Sequence, residues 1–226
     1  MNANVKTARV AGLLYLIYIV VHTVGDAVGR SGLIVLGDAA ATARNIQASA
    51  WQFRFGFVMD LLAAVLFLVT AWALYRLLAP VNGTVALLFL LLNVCGVAIQ
   101  CASDLFLPAS QLLLSGAEFT RVWPADQLQA LAMSFLYLYK NGYWIAQVFY
   151  GAWLFPLGYA VYKSGFLPRI LGVVLMIHCG TWLAACLRFF LFPGFTFISY
   201  ISYPLGFIAE AGLGLWLVIK GTLGPR

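Results

Sequence analysis

The chain has 226 residues, 64% of them hydrophobic and 9% charged, with a mean hydropathy of +0.96, far from the soluble norm of about 45–50% apolar and about 25% charged. Such a chain is solvated mainly by lipid. At about 20 apolar residues per crossing, its length accommodates around six spans and leaves nothing for a soluble domain. The net charge of +6 comes from basic residues scattered singly between apolar stretches, which excludes nucleic acid as a partner.

Six apolar segments are separable by charges, prolines and glycines: Ala8 to Val28, Phe53 to Leu78, Val85 to Leu114, Asn141 to Tyr162, Arg169 to Phe190, and Ile198 to Ile219. In lipid only helices and closed barrels satisfy the backbone, and runs this long and evenly apolar are helices. The expected architecture is all-α: a polytopic bundle of six transmembrane helices, with residues 1–226 forming one domain. Lys6 and Arg9 before the first run resemble the start of a signal peptide. Tyr15, Tyr18, His22 and Asp26 are foreign to a discarded leader, however, and the first helix is expected to stay.

Two connections have helical character of their own. Gly37-Asp38 precedes the helix-capable stretch Ala39 to Gln52, for which Asp38 is a natural N-cap. Further on, Trp123-Pro124 precedes Asp126 and Gln129, the spacing of a capping box. Leu128, Leu131, Leu136 and Tyr139 then suggest a short amphipathic helix leading into the fourth span. Both stretches are expected to lie at the membrane interface, the alternative being a partial lid over the outer face. Pro108, Pro156 and Pro204 fall inside spans three, four and six, where each should bend its helix. The four cysteines, Cys95, Cys101, Cys179 and Cys186, lie in spans without CxxC spacing and read as small apolar packing residues.

Orientation comes from the basic residues. Lys6, Arg9, Arg76, Lys163, Arg169, Lys220 and Arg226 fall at one set of span ends, in very short connections and termini with no acidic residue near them. Arg30, Arg44, Arg54, Arg121, Lys140 and Arg188 fall at the other, together with Asp26, Asp38, Glu118 and Asp126. The positive-inside rule applies best to short connections, so the N and C termini are expected in the cytoplasm.

Counting 1.5 Å per residue from the cytoplasmic ends places His178 at ~13 Å, Glu210 at ~15 Å, His22 at ~21 Å, Gln100 at ~22 Å, Asp60 at ~24 Å, Asp26 at ~27 Å, and Asp104 and Arg188 at ~28 Å. Within their helices these residues fall on shared faces. Tyr15, Tyr18, His22 and Asp26 form one stripe; Asn93, Gln100 and Asp104 a second; Lys140, Trp144 and Gln147 a third; His178 with Thr181 a fourth; Ser199, Tyr203, Gly206 and Glu210 a fifth. A charge turned to lipid costs at least about 2.5–3.5 kcal/mol, so these faces are expected to turn inward around an outward-opening polar cavity.

Glu210 and His178 are the two ionisable residues near mid-membrane, and they are expected to pair as a proton-binding site at the cavity floor. The alternative is a neutral Glu210 bonded to a tyrosine or a backbone carbonyl as packing glue. The wider set of proton- or solute-binding candidates adds His22, Asp26, Asp60, Asp104, Gln100, Arg188 and Lys140. His22 with Asp26, at i and i+4, also has the form of a carboxylate-oriented histidine, so a metal site of His22, Asp26, Asp60 and Asp104 is a lesser alternative. Ion pairing of Arg54, Lys140 and Arg188 with Asp26, Asp60 and Asp104 explains the same residues without a metal. The ~8 Å difference in depth between His22 and His178 disfavours haem, and no cofactor is expected.

Several stretches carry a family resemblance: Arg9-Val-Ala-Gly12-Leu-Leu-Tyr15, Gly37-Asp38 followed by Thr42-Ala-Arg-Asn45-Ile46, and Leu74-Tyr75. The series continues with Gly158-Tyr159 through Ser164-Gly-Phe-Leu-Pro168-Arg169 with Gly172, then Glu210, Leu215-Trp216 and Lys220-Gly221. In this order and spacing they resemble the bacterial multi-pass family known as domain of unknown function 4386, over nearly the whole chain. The resemblance implies a protein of the bacterial cytoplasmic membrane with its first helix retained. It carries no activity with it. Glu210 and the Asp38/Thr42/Asn45 segment match the family pattern, whereas His22 and His178 map onto no family motif.

No HExxH, GxSxG or Ser/His/Asp arrangement is present. The sequence therefore favours a non-enzymatic membrane protein that binds or transports a small solute, lipid or proton. A membrane enzyme acting on a lipid-phase substrate and an assembly or regulatory protein without chemistry are the alternatives. The expected partners are the bilayer and a small-molecule or lipid ligand; the sequence does not address oligomeric state.

Overall fold

The computed structural model describes residues 3–222, and no strand occurs among them. The α-helices in chain order are α1 (Ala3–Gly29), α2 (Ala39–Ala48), α3 (Ala50–Leu78), α4 (Gly83–Asp104), α5 (Phe106–Leu113), α6 (Ala125–Lys163), α7 (Arg169–Leu191), α8 (Phe197–Gly206) and α9 (Gly212–Ile219). A 3-10 turn occupies Glu118–Thr120, and a π-helical stretch at Phe207–Ala211 joins α8 to α9. Arg226, counted above among the basic residues of the chain ends, lies outside the described residues.

Five stretches among the described residues are long and apolar enough to cross a membrane: Val5–Gly29, Ala50–Leu78, Gly83–Leu113, Arg169–Leu191 and Phe197–Ile219. They match five of the six expected spans. The expected fourth lies inside α6, a continuous helix of 39 residues. Tyr143, Trp144, Gln147, Tyr150 and Pro156 make this stretch less apolar than the other five, although Trp and Tyr suit a membrane interface.

Helix boundaries follow local chemistry. The Asp38 side chain accepts the Ala41 N–H at 2.8 Å and caps α2 as expected, but α2 stops at Ala48 and α3 begins at Ala50, ahead of the expected Phe53. The amphipathic helix expected before the fourth span is continuous with it. Its cap is Pro124, whose carbonyl accepts the Leu128 N–H at 3.2 Å, so Asp126 falls in the first turn, where its charge suits the helix dipole. Pro108 lacks an N–H for the Asp104 carbonyl, and the third span breaks at Leu105 between α4 and α5. Pro156 is accommodated inside α6, and Pro204 sits shortly before the π stretch.

The described residues pack as two compact units. The first comprises 3–19, 65–98 and 144–222. Its helices approach closely where glycines meet: a Cβ on Gly12 would stand 2.6 Å from the Gly214 carbonyl oxygen, and one on Gly158 would stand 2.7 Å from that of Gly172. Its interior is aromatic. Phe67 stacks on Tyr18 with ring centroids 4.1 Å apart and meets Trp153 edge-on at 4.9 Å, while Trp153 also contacts Tyr15 and Phe89.

The second unit comprises 20–64 and 99–143. Leu33, Ile46, Phe53, Leu107, Met133 and Leu136 belong to its apolar core. Side-chain amides and hydroxyls tie its connections: Thr42 Oγ1 accepts the Val35 N–H at 2.9 Å, Gln47 donates to the Leu114 carbonyl at 2.9 Å, and Gln52 donates to that of Val28 at 2.7 Å. Thr42 and Asn45, which match the family pattern, therefore serve local structure, Asn45 by donating to the Leu33 carbonyl at 3.3 Å. In both units large apolar side chains such as Leu13, Val20, Val65, Leu91 and Ile177 point outward, as lipid solvation requires.

Candidate functional site

The site in the first unit is built on the π-helical stretch. A π turn widens the helix to i→i+5 bonding and is frequent at functional positions; here it carries Glu210. Glu210 Oε2 accepts a hydrogen bond of 2.5 Å from the hydroxyl of Tyr15 on α1. Its other oxygen, Oε1, stands 3.6 Å from His178 Nε2 on α7. The His178 side chain is 2% exposed and that of Glu210 24%, and Tyr15 is fully buried. The carboxyl group is thus held from both sides while keeping some access.

His178 is positioned in turn. Its Nδ1 lies 3.5 Å from Thr181 Oγ1, which receives the Ser202 hydroxyl at 3.4 Å, and its ring is tilted against Trp182 with centroids 5.5 Å apart. Gly206 makes this possible, because a Cβ there would stand 2.6 Å from His178 Nε2. The imidazole lies directly on the bare backbone of α8. Tyr15, Glu210, His178, Thr181 and Ser202 stand in series, joined by hydrogen-bonding contacts except at the 3.6 Å approach of Glu210 to His178. The set can hold, share and release a proton without placing a lone charge in an apolar medium.

The candidates read from sequence divide between the units. Glu210, His178 and Arg188 belong to the first; His22, Asp26, Asp60, Gln100, Asp104 and Lys140 belong to the second. In the second unit Asp60 is engaged by Arg30, whose Nη1 bonds Asp60 Oδ2 and whose Nη2 donates to Oδ1 at 3.0 Å. The pair is buried on both sides, and the Tyr139 ring lies 5.7 Å from the guanidinium carbon. Asp26 is exposed and reaches Arg30 at 3.4 Å. Gln100 donates to Asp104 Oδ1 at 2.6 Å. Arg54 donates instead to Gln111 at 3.3 Å, and Arg188 to the Pro193 carbonyl at 3.4 Å. Among the described residues no three His, Cys, Asp or Glu side chains gather as a metal-ligand set.

Two participants were not visible as such. Tyr15 lies on the polar stripe of the first span, but nothing in the sequence pairs it with a glutamate near the other end of the chain. Arg30 follows the apolar run by two residues and counts in the sequence only among the basic residues at the span ends, yet its long side chain is buried.

A helical fold with several segments of bilayer length and a carboxylate held between a tyrosine and a histidine defines a multi-pass membrane protein. The chain belongs to the family described as Domain of unknown function (DUF4386), whose model matches residues 10–221. It is also similar to an uncharacterised protein of Archaeoglobus fulgidus, 29% identical over 163 residues that cover 71% of this chain and 80% of that protein. No solved structure matches the chain.

Proposed function

We propose that the protein is a non-enzymatic component of the bacterial cytoplasmic membrane that binds, and moves, a small solute or lipid, and that it couples this to a proton held among Tyr15, Glu210 and His178. One observation carries the reading: Glu210 is bonded to Tyr15 at 2.5 Å through one oxygen and faces His178 at 3.6 Å through the other, on a π-helical turn. A carboxyl group in this setting changes its partners when its proton moves. As a neutral acid it can donate to the imidazole; as a carboxylate it holds the tyrosine hydroxyl and the imidazolium. A ligand that favours one of these states is thereby linked to proton uptake or release.

We further propose six crossings with both termini in the cytoplasm, the sixth being the 141–162 stretch of α6. Three cation–aromatic contacts support this arrangement: Arg76 with Trp72, Lys163 with Tyr159 and Arg169 with Tyr162, all between 5.6 and 5.8 Å. They fall at helix ends assigned to the cytoplasm, where aromatic rings and snorkelling basic side chains anchor a span.

Thermal unfolding of the purified protein against a panel of solutes and lipids, at acidic and alkaline pH, tests the coupling. At least one ligand is expected to raise Tm by a pH-dependent amount in the wild type and a pH-independent amount in Glu210→Gln. A panel without any shift, or a shift equally pH-dependent in the variant, contradicts it.

A further inference from the structure

The second unit contains an acid that its ion pair does not account for. Asp104, at the end of α4, is fully buried. Arg30, a cation that faces it, is committed to Asp60 through both terminal nitrogens. Titratable and charged groups facing Asp104 include Arg30 beyond α1, Asp60 on α3, Tyr139 on α6 and, on its own helix, Cys101. Arg30 and Asp60 cancel, so an ionised Asp104 would add to a buried site a negative charge that this pair does not balance.

The hydrogen bonding points the same way. Asp104 Oδ1 accepts the Gln100 amide, but no donor among the described residues reaches Asp104 Oδ2, and none reaches Gln100 Oε1, although both atoms are buried. The two acceptors without donors belong to the two partners of a single hydrogen bond. A carboxylic acid and a primary amide can form two bonds at once, amide N–H to acid carbonyl and acid O–H to amide carbonyl. One added proton therefore satisfies both oxygens and removes the excess charge in the same step.

We propose that Asp104 is a second proton-binding site, holding its proton on Oδ2 and sharing it with Gln100 Oε1 in a closed acid–amide pair. The site is independent of the Glu210 reading and stands on residues of the second unit alone. Its ligand is the proton itself. The arrival of a cation, or the departure of Arg30 from Asp60, would favour the carboxylate form of Asp104.

Infrared spectroscopy of the full-length protein in lipid nanodiscs at neutral pH tests the proposal. The wild type is expected to show the carbonyl stretch of a protonated, hydrogen-bonded carboxyl group that Asp104→Asn loses and Glu210→Gln retains. Because asparagine can form the equivalent amide–amide pair, Asp104→Asn is also expected to keep the wild-type Tm. Gln100→Leu leaves Asp104 in place and is expected to move the band to the higher frequency of an unbonded acid, which keeps the test open should Asp104→Asn not fold. Loss of a carboxylate band instead of an acid band in Asp104→Asn, or an unmoved acid band in Gln100→Leu, overturns it.

Discussion

Tyr15 and Glu210 are 195 positions apart in the chain, and the hydroxyl of one lies 2.5 Å from a carboxylate oxygen of the other. The bond closes the first helix against the last apolar segment, next to the place where Gly12 meets Gly214. It therefore serves two purposes, fastening the chain ends and holding one oxygen of the carboxyl group whose other oxygen faces His178.

Tyr15→Phe keeps the ring in its aromatic cluster and removes only the hydroxyl. Side-chain hydrogen bonds to charged groups contribute about 1.5–3 kcal/mol in water-soluble proteins, and hydrogen bonds between membrane helices average about 0.6 kcal/mol. The expected loss is about 1 kcal/mol, read by equilibrium unfolding in detergent. In a Glu210→Gln background the same substitution should cost measurably less, since the charged partner is already gone.

Gly206→Ala tests how His178 is seated. The new methyl would stand 2.6 Å from Nε2, and with the helix backbone fixed the imidazole must move. Overpacking of this kind costs about 1–3 kcal/mol, and the His178–Glu210 approach should be lost with it. Gly180→Ala on the same α7 is the matched control: nothing lies within 4 Å of its Cβ, so stability should hold or rise by up to about 1 kcal/mol.

The Arg30–Asp60 pair makes a larger prediction. Asp60→Asn leaves a guanidinium 7% exposed with only the solvent-exposed Asp26, at 3.4 Å, as counter-ion, and breaking a buried pair from one side costs about 3–5 kcal/mol. Replacing both residues together by Met and Leu should be far milder. Comparison of the two unfolding curves decides whether the pair is structural, as the geometry indicates, or whether Asp60 is needed for ligand binding even in the stable double variant.

An even number of crossings puts both ends of the chain on one side of the membrane, and an odd number puts them on opposite sides. Activity reporters fused to each terminus in bacteria should both register the cytoplasm. Opposite registration would reduce the spans to the five most apolar segments and leave α6 outside the bilayer core.

The helices were legible because lipid leaves the backbone so few choices. Five apolar runs coincide with spanning segments almost residue for residue, and Asp38 caps α2 as its position suggests. What was hidden is non-local or depends on a single missing N–H. The break at Leu105 follows from Pro108, but whether a helix bends or breaks there depends on packing. The interfacial stretch and the fourth span fuse into α6 because no proline interrupts residues 125–155, while Pro124 sets where the helix starts. In the site, depth counting brought His178 and Glu210 to the same level, and they face each other at 3.6 Å. It could not find Tyr15, because a polar stripe specifies a face and not the helix it meets. Nor could it place Arg30, since side-chain length lets a cation at a helix end reach inward.

The most direct test of proton coupling at Glu210 is flux in proteoliposomes carrying an entrapped pH-sensitive dye, with a pH gradient imposed and the ligand found by thermal shift added outside. Wild-type vesicles should acidify or alkalinise with ligand movement, and Glu210→Gln vesicles should not, although the variant protein remains folded. Equal ligand-linked pH change in the two, or ligand movement without any pH change in the wild type, would contradict the proposed role of the Tyr15–Glu210–His178 set.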